Sequence, residues 1–178
     1  GQLLSNRYRI ERLIGQGGMG KVYLATDQSL ERSVVIKLAH LQADLEEEDR
    51  ARFRREALKM ASLNHPNIVA IYDYGTQNDL QFLVMEWVNG GTLKEEFLQS
   101  GSLSLDRFLQ IISQLLSGLW AAHKKDVIHR DIKPSNLMWD TDSQRLKVLD
   151  FGLARGVEGD TLTGSGHVHG SIQYMAPE

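Results

Sequence analysis

Cysteine is absent from the 178 residues. Neither a disulfide framework nor a thiolate metal site can therefore form, and a reducing cytoplasm is a compatible setting. Long apolar runs are missing as well. Nothing approaches the roughly 20 residues that a bilayer span needs, and the N-terminus has no apolar signal core, so a soluble piece with no membrane segment is expected. Charge of one sign is not in excess: 20 Lys and Arg face 23 Asp and Glu, for a net charge of −3. That balance gives no bulk electrostatic reason to expect a nucleic-acid partner. Internal repeats and low-complexity tracts are also missing. What is present is an ordinary composition, 42% hydrophobic and 24% charged. It is long enough to bury ~70% of the unfolded chain's surface in one domain or two small lobes.

Apolar alternation organises the first part. "YRIERLIG", "KVYLATD" and "RSVVIKLAH" read as strands divided by glycine or polar turns. Glu46 to Leu63 reads as a helix. Glu46, Glu47, Glu48 and Asp49 suit its N-terminal dipole, Arg52, Arg54 and Arg55 follow, and Phe53, Ala57, Met60 and Ala61 make an apolar stripe. "NHPNIVAIYDYG" and "LQFLVMEWV" return to strand character around an Asn78-Asp79 turn. After Asn89-Gly90-Gly91 comes a long apolar helix from Leu105 to Lys124, carrying Phe108, Ile111, Ile112, Leu115, Leu116, Leu119 and Trp120. The chain thus divides into a sheet-rich lobe with one helix and a helix-led second lobe, joined near Val88 to Gly91.

"GQGGMGKVYLATD" has three readings. Gly15, Gly17 and Gly20 satisfy the G-x-G-x-x-G of a dinucleotide site, Gly15 to Lys21 nearly completes a P-loop, and a kinase glycine loop also fits. Each sets backbone N–H groups against phosphate, where only glycine lets the main chain approach. The first two need a helix after the last glycine. Here Val22, Leu24 and Thr26 alternate with Tyr23, Ala25 and Asp27, which favours strand, loop, strand. A P-loop NTPase fails chemically too, since Val22 stands where a hydroxyl must meet magnesium. Taken alone, the segment could still be an ordinary glycine-rich hairpin. In "VVIK", Val35 and Lys37 face one side of a strand, with Val34, Ile36 and Leu38 on the other. Lys37 is either a solvated edge lysine or a phosphate ligand, the latter if a carboxylate fixes its ammonium. Glu56, in the predicted helix, is the candidate carboxylate, and a solvated helix glutamate is its bland alternative.

"GQGGMGKVY", "VVIK", "FRREA…LNHPNIV", "HRDIKPSN", "DFG" and "YMAPE" together resemble, in order and interval, the eukaryotic-like (Hanks-type) serine/threonine protein kinases. "GGMG" and "RRE" look most like the bacterial branch, and the resemblance spans the whole chain. It implies an α+β, protein-kinase-like bilobal fold. Residues 1–88 would be an antiparallel-sheet N-lobe with one main helix. Residues 89–178 would be the first half of a helical C-lobe, ending after the APE motif with the remaining helices absent. It also implies an enzyme that transfers the γ-phosphate of ATP to Ser/Thr hydroxyls of proteins, with Mg2+ as cofactor.

Site roles follow from the same resemblance. Asp131 would accept or orient the substrate hydroxyl's proton, Lys133 would steady phosphate charge, and Lys37 paired with Glu56 would hold phosphate oxygens. Asn136 and Asp150, the latter delivered by a short apolar strand through Leu146 and Val148, would supply oxygen ligands to magnesium. Adenine would sit among Ile14, Val22, Val35 and Met138, read by backbone from Glu86 to Val88 with Met85 as gatekeeper, beneath Gly15, Gly17 and Gly20. Val35 replaces the family's usual alanine and narrows that pocket. Met60, Ile71, His129 and Phe151 resemble the apolar column of an active kinase. Arg130 would pair with a phosphorylated activation loop, with Thr163 and Ser165 as candidate phosphosites, while His167 and His169 read as solvated. A C-lobe cut short would leave the apolar side of the long helix uncovered, which predicts dimerisation or segment exchange and weak or no transfer by this chain. The alternative function is a non-catalytic nucleotide-binding scaffold, against which the intact Lys37, Asp131, Asn136 and Asp150 argue.

Overall fold

A computed structural model describes residues 2–17, 20–39, 47–78, 80–151 and 174. Two compact units emerge, one of Gly1–Ser62 with Ala70–Trp87 and one of Leu63–Val69 with Val88–Glu178.

The first unit is built on strands β1 (Leu3–Leu4), β2 (Tyr8–Gly17), β3 (Gly20–Asp27), β4 (Arg32–Ala39), β5 (Ile71–Gln77) and β6 (Leu80–Glu86), with helix α1 (Glu47–Ala61). The strands form one antiparallel sheet in the order β1-β2-β3-β4-β6-β5. Strand alternation sorts the side chains. Ala25, Val34, Ile36, Phe82 and Val84 fall on one face and pack with Tyr8 into a buried core, where the Tyr8 and Phe82 rings meet edge to face at 6.3 Å. The sheet's other face therefore carries Val22, Val35, Lys37, Leu83 and Met85, in register as Val22↔Lys37↔Leu83 and Val35↔Met85. A polar clamp closes the sheet beside the core. Arg7 donates to Asp27 through Nε at 2.8 Å and Nη2 at 2.7 Å, and Tyr8 donates its hydroxyl proton to Asp73 at 2.7 Å. The guanidinium holds the Asp27 carboxyl below its ordinary range. In α1 the buried stripe is narrower than predicted: Ala57 and Met60 are buried, but Ala61 is exposed.

In the second unit, β7 (Gly90–Thr92), β8 (Leu137–Asp140) and β9 (Arg145–Val148) form a three-stranded antiparallel sheet. Two helices accompany it, α2 (Leu93–Ser100) and α3 (Leu105–His123). Helix α2 has no strong apolar period, and the sequence reading left it unassigned. A capping box holds it, with the Thr92 hydroxyl accepting from Glu95 N–H and the Glu95 carboxylate accepting from Thr92 N–H. Helix α3 is the predicted long helix. It buries Ile111, Leu115, Gly118 and Ala122, yet Leu105 (71%), Phe108 (50%), Leu116 (59%) and Trp120 (62%) remain exposed. The strand-like "DVIH" is not a strand. Asp126 turns with φ 57° and residues 126–129 join no ladder, yet Val127 and His129 are buried.

Candidate active site

The polar cluster of the second unit grows out of the segment after α3. His129 is 2% exposed and uses both ring nitrogens. Nε2 lies 2.7 Å from Leu149 O, and Nδ1 accepts from Asp131 N–H at 3.2 Å. A carbonyl can only accept, so Nε2 carries the proton and the ring is the neutral tautomer. Burial keeps the His129 pKa below its usual 6.5 despite Asp150 and Asp131 nearby. Its ring also lies against Phe151, with centroids 4.6 Å apart. One buried imidazole thereby holds the backbone leading to Asp131 and the residue preceding Asp150. Sequence reasoning gave His129 only an apolar role; the signal it missed was a ring with two hydrogen-bonding ends between two acidic loops.

Asp131, Lys133 and Asn136 come together around one carboxylate. Lys133 Nζ lies 2.7 Å from Asp131 Oδ2. Asn136 Nδ2 donates to Asp131 O at 2.8 Å and to Asp131 Oδ2 at 3.0 Å. With Nδ2 committed to Asp131, the Asn136 amide oxygen is the atom left to meet a cation. A 3₁₀ turn over Pro134–Asn136 presents it, and the next residue enters β8. Leu149 N–H donates to Asn136 O at 2.9 Å, which ties the exit of β9 to the same turn. Asp150 follows directly in the left-handed region at φ 53°, and Arg130 does likewise at φ 67°. Such backbone is sparsely populated for non-glycine residues and clusters at functional sites. Among the described residues no group of three or more His, Asp or Glu forms a metal cage. Two hard oxygen donors, Asn136 and Asp150, fit magnesium, which keeps several waters and is completed by substrate phosphates.

In the first unit, β2 and β3 pair as Gly15↔Val22, Gln16↔Lys21 and Gly17↔Gly20, closing the hairpin of the glycine loop. Gly20 has φ 126°, a conformation open to glycine. A Cβ on Gly15 would meet Val22 at 3.7 Å, an ordinary contact, so packing does not demand glycine there. Lys37 is 6% exposed on the face shared with Val22, Val35 and Met85. A buried lysine needs compensating partners, unlike a solvated edge lysine. Glu56 lies within α1, and its side chain is outside the described residues. Ile14 is 36% exposed on β2. Glu86 returns its carboxylate to Ala70 N–H at 3.1 Å. Val88 and Met138 belong to the second unit, the former buried, the latter half-buried and paired with Thr92 and Lys147. Thr163, Ser165, His167 and His169 lie outside the described residues.

One buried and one half-buried histidine, His129 and His65, give a pH expectation. Burial lowers the pKa of both His129 and His65. His65 Nδ1 accepts from Asn67 N–H at 3.2 Å. A base with a depressed folded pKa takes up its proton more readily when unfolded. Stability is therefore full above about pH 6.5 and declines as pH falls below it toward the folded values. Urea midpoints between pH 7.5 and 5.5 should fall, and His129→Phe should flatten the decline in part. A midpoint independent of pH over that range would contradict the neutral rings.

Comparison with known proteins gives one family. Residues 8–178 match the protein kinase domain. The chain is 44% identical over 178 residues to the serine/threonine-protein kinase PrkC of Bacillus subtilis, covering all of this chain and 27% of that protein. It is 40% identical over 183 residues to the serine/threonine-protein kinase PknA of Mycobacterium tuberculosis, covering 42% of it. In structure it is similar to the crystal structure of the Mycobacterium tuberculosis PknI kinase domain, with a TM-score of 0.75 and 27% identity over 86% of this chain and 62% of that one. The chain thus spans about a quarter to two fifths of the length of these curated relatives.

Proposed function

The chain belongs to the protein kinase domain family, in its bacterial Hanks-type serine/threonine branch, and from that premise we propose that it transfers the γ-phosphoryl group of ATP to serine and threonine hydroxyls of protein substrates. The observation that carries the proposal is the Asp131 carboxylate, held by Lys133 at 2.7 Å and Asn136 at 3.0 Å. A carboxylate fixed in this way can orient a hydroxyl and take its proton, while Lys133 steadies charge on the moving phosphate. Lys37, buried on an apolar sheet face, binds phosphate oxygens, with Glu56 as its carboxylate partner. Asn136 and Asp150 would hold Mg2+, which when bound neutralises charge on the phosphates. The backbone of Gly15, Gly17 and Gly20 covers the phosphates. Ile14, Val22, Val35, Met85, Glu86, Val88 and Met138 receive the adenine.

The role is in signalling and is placed in the cytoplasm, where ATP is supplied. Phosphorylation of Thr163 or Ser165, read by Arg130, is the proposed activating step. Leu105, Phe108, Leu116 and Trp120 of α3 supply an apolar face through which the chain dimerises. No helix among the described residues is long and apolar enough to cross a membrane. The test is radiolabel transfer from γ-labelled ATP. The expected result is labelling, weak in this chain, of serine and threonine peptides that needs Mg2+, with a matched tyrosine peptide unlabelled. Nucleotide binding without transfer to any peptide would replace the kinase reading by the scaffold reading.

A further inference from the structure

Two side-chain amides, Asn67 within "LNHPNIV" and Gln114 outside every motif, grip the strand that leads to Asp150. Gln114, half-buried on α3, accepts through Oε1 from Leu146 N–H at 2.9 Å and from Asn67 Nδ2 at 2.7 Å. Asn67, 5% exposed, also donates from Nδ2 to Leu146 O at 2.9 Å. Both polar groups of Leu146 on this side are therefore bound to side chains that are bound to each other. The Asn67 main chain extends the grip: its carbonyl accepts from Val148 N–H at 2.9 Å, and Val69 N–H donates to Val148 O at 3.1 Å. Gly118 lets this happen, because a Cβ there would stand 3.3 Å from Asn67 O.

Strand β9 has only four residues and pairs with β8 along its other edge. In so short a ladder a slip of one residue would move each side chain by ~3.3 Å and turn the buried Leu146 and Val148 to the opposite face, so its register has to be held. The next backbone bond after β9 is Leu149 N–H to Asn136 O at 2.9 Å, and the next side chain is Asp150. We propose that Gln114 and Asn67 are positioning residues that lock the register of β9 and so set where Asp150 stands relative to Asn136. This rests on the reading of Asn136 and Asp150 as the magnesium ligands. Groups that orient such ligands typically change metal affinity 10–100-fold when removed. The clamp contributes to cation affinity while nucleotide affinity without metal is independent of it.

The experiment titrates Mg2+ against binding of a fluorescent ATP analogue to the chain. Gln114→Leu, which removes the shared acceptor, should raise the half-saturating Mg2+ concentration about tenfold and leave metal-free nucleotide binding unchanged. Gln114→Glu keeps an oxygen for both donors and should return the value to within about twofold of the parent. Gln114→Asn, too short to reach both donors, gives the same readout as leucine if Gln114→Leu fails to fold. Amide exchange should quicken at Leu146 and Leu149 in the variants that lose the clamp. An unchanged Mg2+ requirement in Gln114→Leu or Gln114→Asn overturns the inference, as does a Gln114→Glu variant as impaired as Gln114→Leu. A parent chain that binds nucleotide with no dependence on Mg2+ overturns the metal-ligand reading itself, and with it this inference.

Discussion

Asp131→Asn lowers phosphate transfer to a serine peptide about a thousandfold while Mg2+-dependent nucleotide binding stays within about twofold of the parent. The side chains are nearly isosteric, and an amide oxygen can still accept from Lys133 Nζ or Asn136 Nδ2, which lie 2.7 Å and 3.0 Å from Oδ2. What disappears is the negative charge and the capacity to take a proton. A thousandfold is about 4 kcal/mol of barrier, within the range attributed to a positioned acid or base. Asp150→Ala separates the other role. It removes one of two hard oxygen donors, so the Mg2+ dependence of nucleotide binding is lost and transfer falls with it. The pair of variants thus splits kcat from binding. If Asp131→Asn retained full transfer, or if it lost nucleotide binding as completely as Asp150→Ala, the assignment of Asp131 to the proton would be wrong.

Much of this was legible in the sequence where a local rule and a global motif agreed. Alternation in "VVIK" placed Val35 and Lys37 on one face of a strand, and the register of β4 agrees, adding Val22 opposite Lys37 on that face. The spacing within "HRDIKPSN" brought Asp131, Lys133 and Asn136 together because a tight turn leaves few ways to arrange them. Helix α2 was hidden because eight residues with two glutamates and a single buried leucine, Leu93, show little period. Its Thr92-x-x-Glu95 capping box was the available signal. "DVIH" misled because two adjacent β-branched residues, Val127 and Ile128, mimic a strand in composition, although only Val127 is buried and Ile128 is exposed. Asn67 falls in the quoted "LNHPNIV", but nothing in either residue's local pattern pairs it with Gln114, 47 positions away. Polar pairs that hold backbone are chosen by tertiary proximity, which neither propensity nor periodicity encodes.

Gly90 and Gly91 stand side by side in "NGG" and look interchangeable, yet alanine at the first should destabilise the second unit by about 3 kcal/mol, at the upper end of overpacking penalties, and alanine at the second by less than 1. A Cβ on Gly90 would lie 1.9 Å from the Trp139 carbonyl oxygen. That atom is backbone within the β7 and β8 pairing, where Gly90 faces Asp140 and Gly91 faces Trp139. It cannot swing aside as a side-chain tip can. Movement of β8 is opposed as well, since the Arg107 guanidinium rests 3.7 Å over the Trp139 ring and is itself held by Glu96 through two bonds of 2.9 Å. The strand must therefore part from β7, and the bonds of Thr141 N–H and hydroxyl to Asn89 O, at 2.8 and 2.7 Å, go with it. On Gly91 the nearest atom is Glu95 Oε2 at 3.3 Å, the end of a flexible side chain. There the restriction of the unfolded chain by alanine, worth about 0.4–1 kcal/mol, offsets a small adjustment. Urea unfolding of the two single variants measures the difference. Equal midpoints would mean that β7 does not approach Trp139 as closely as this geometry requires.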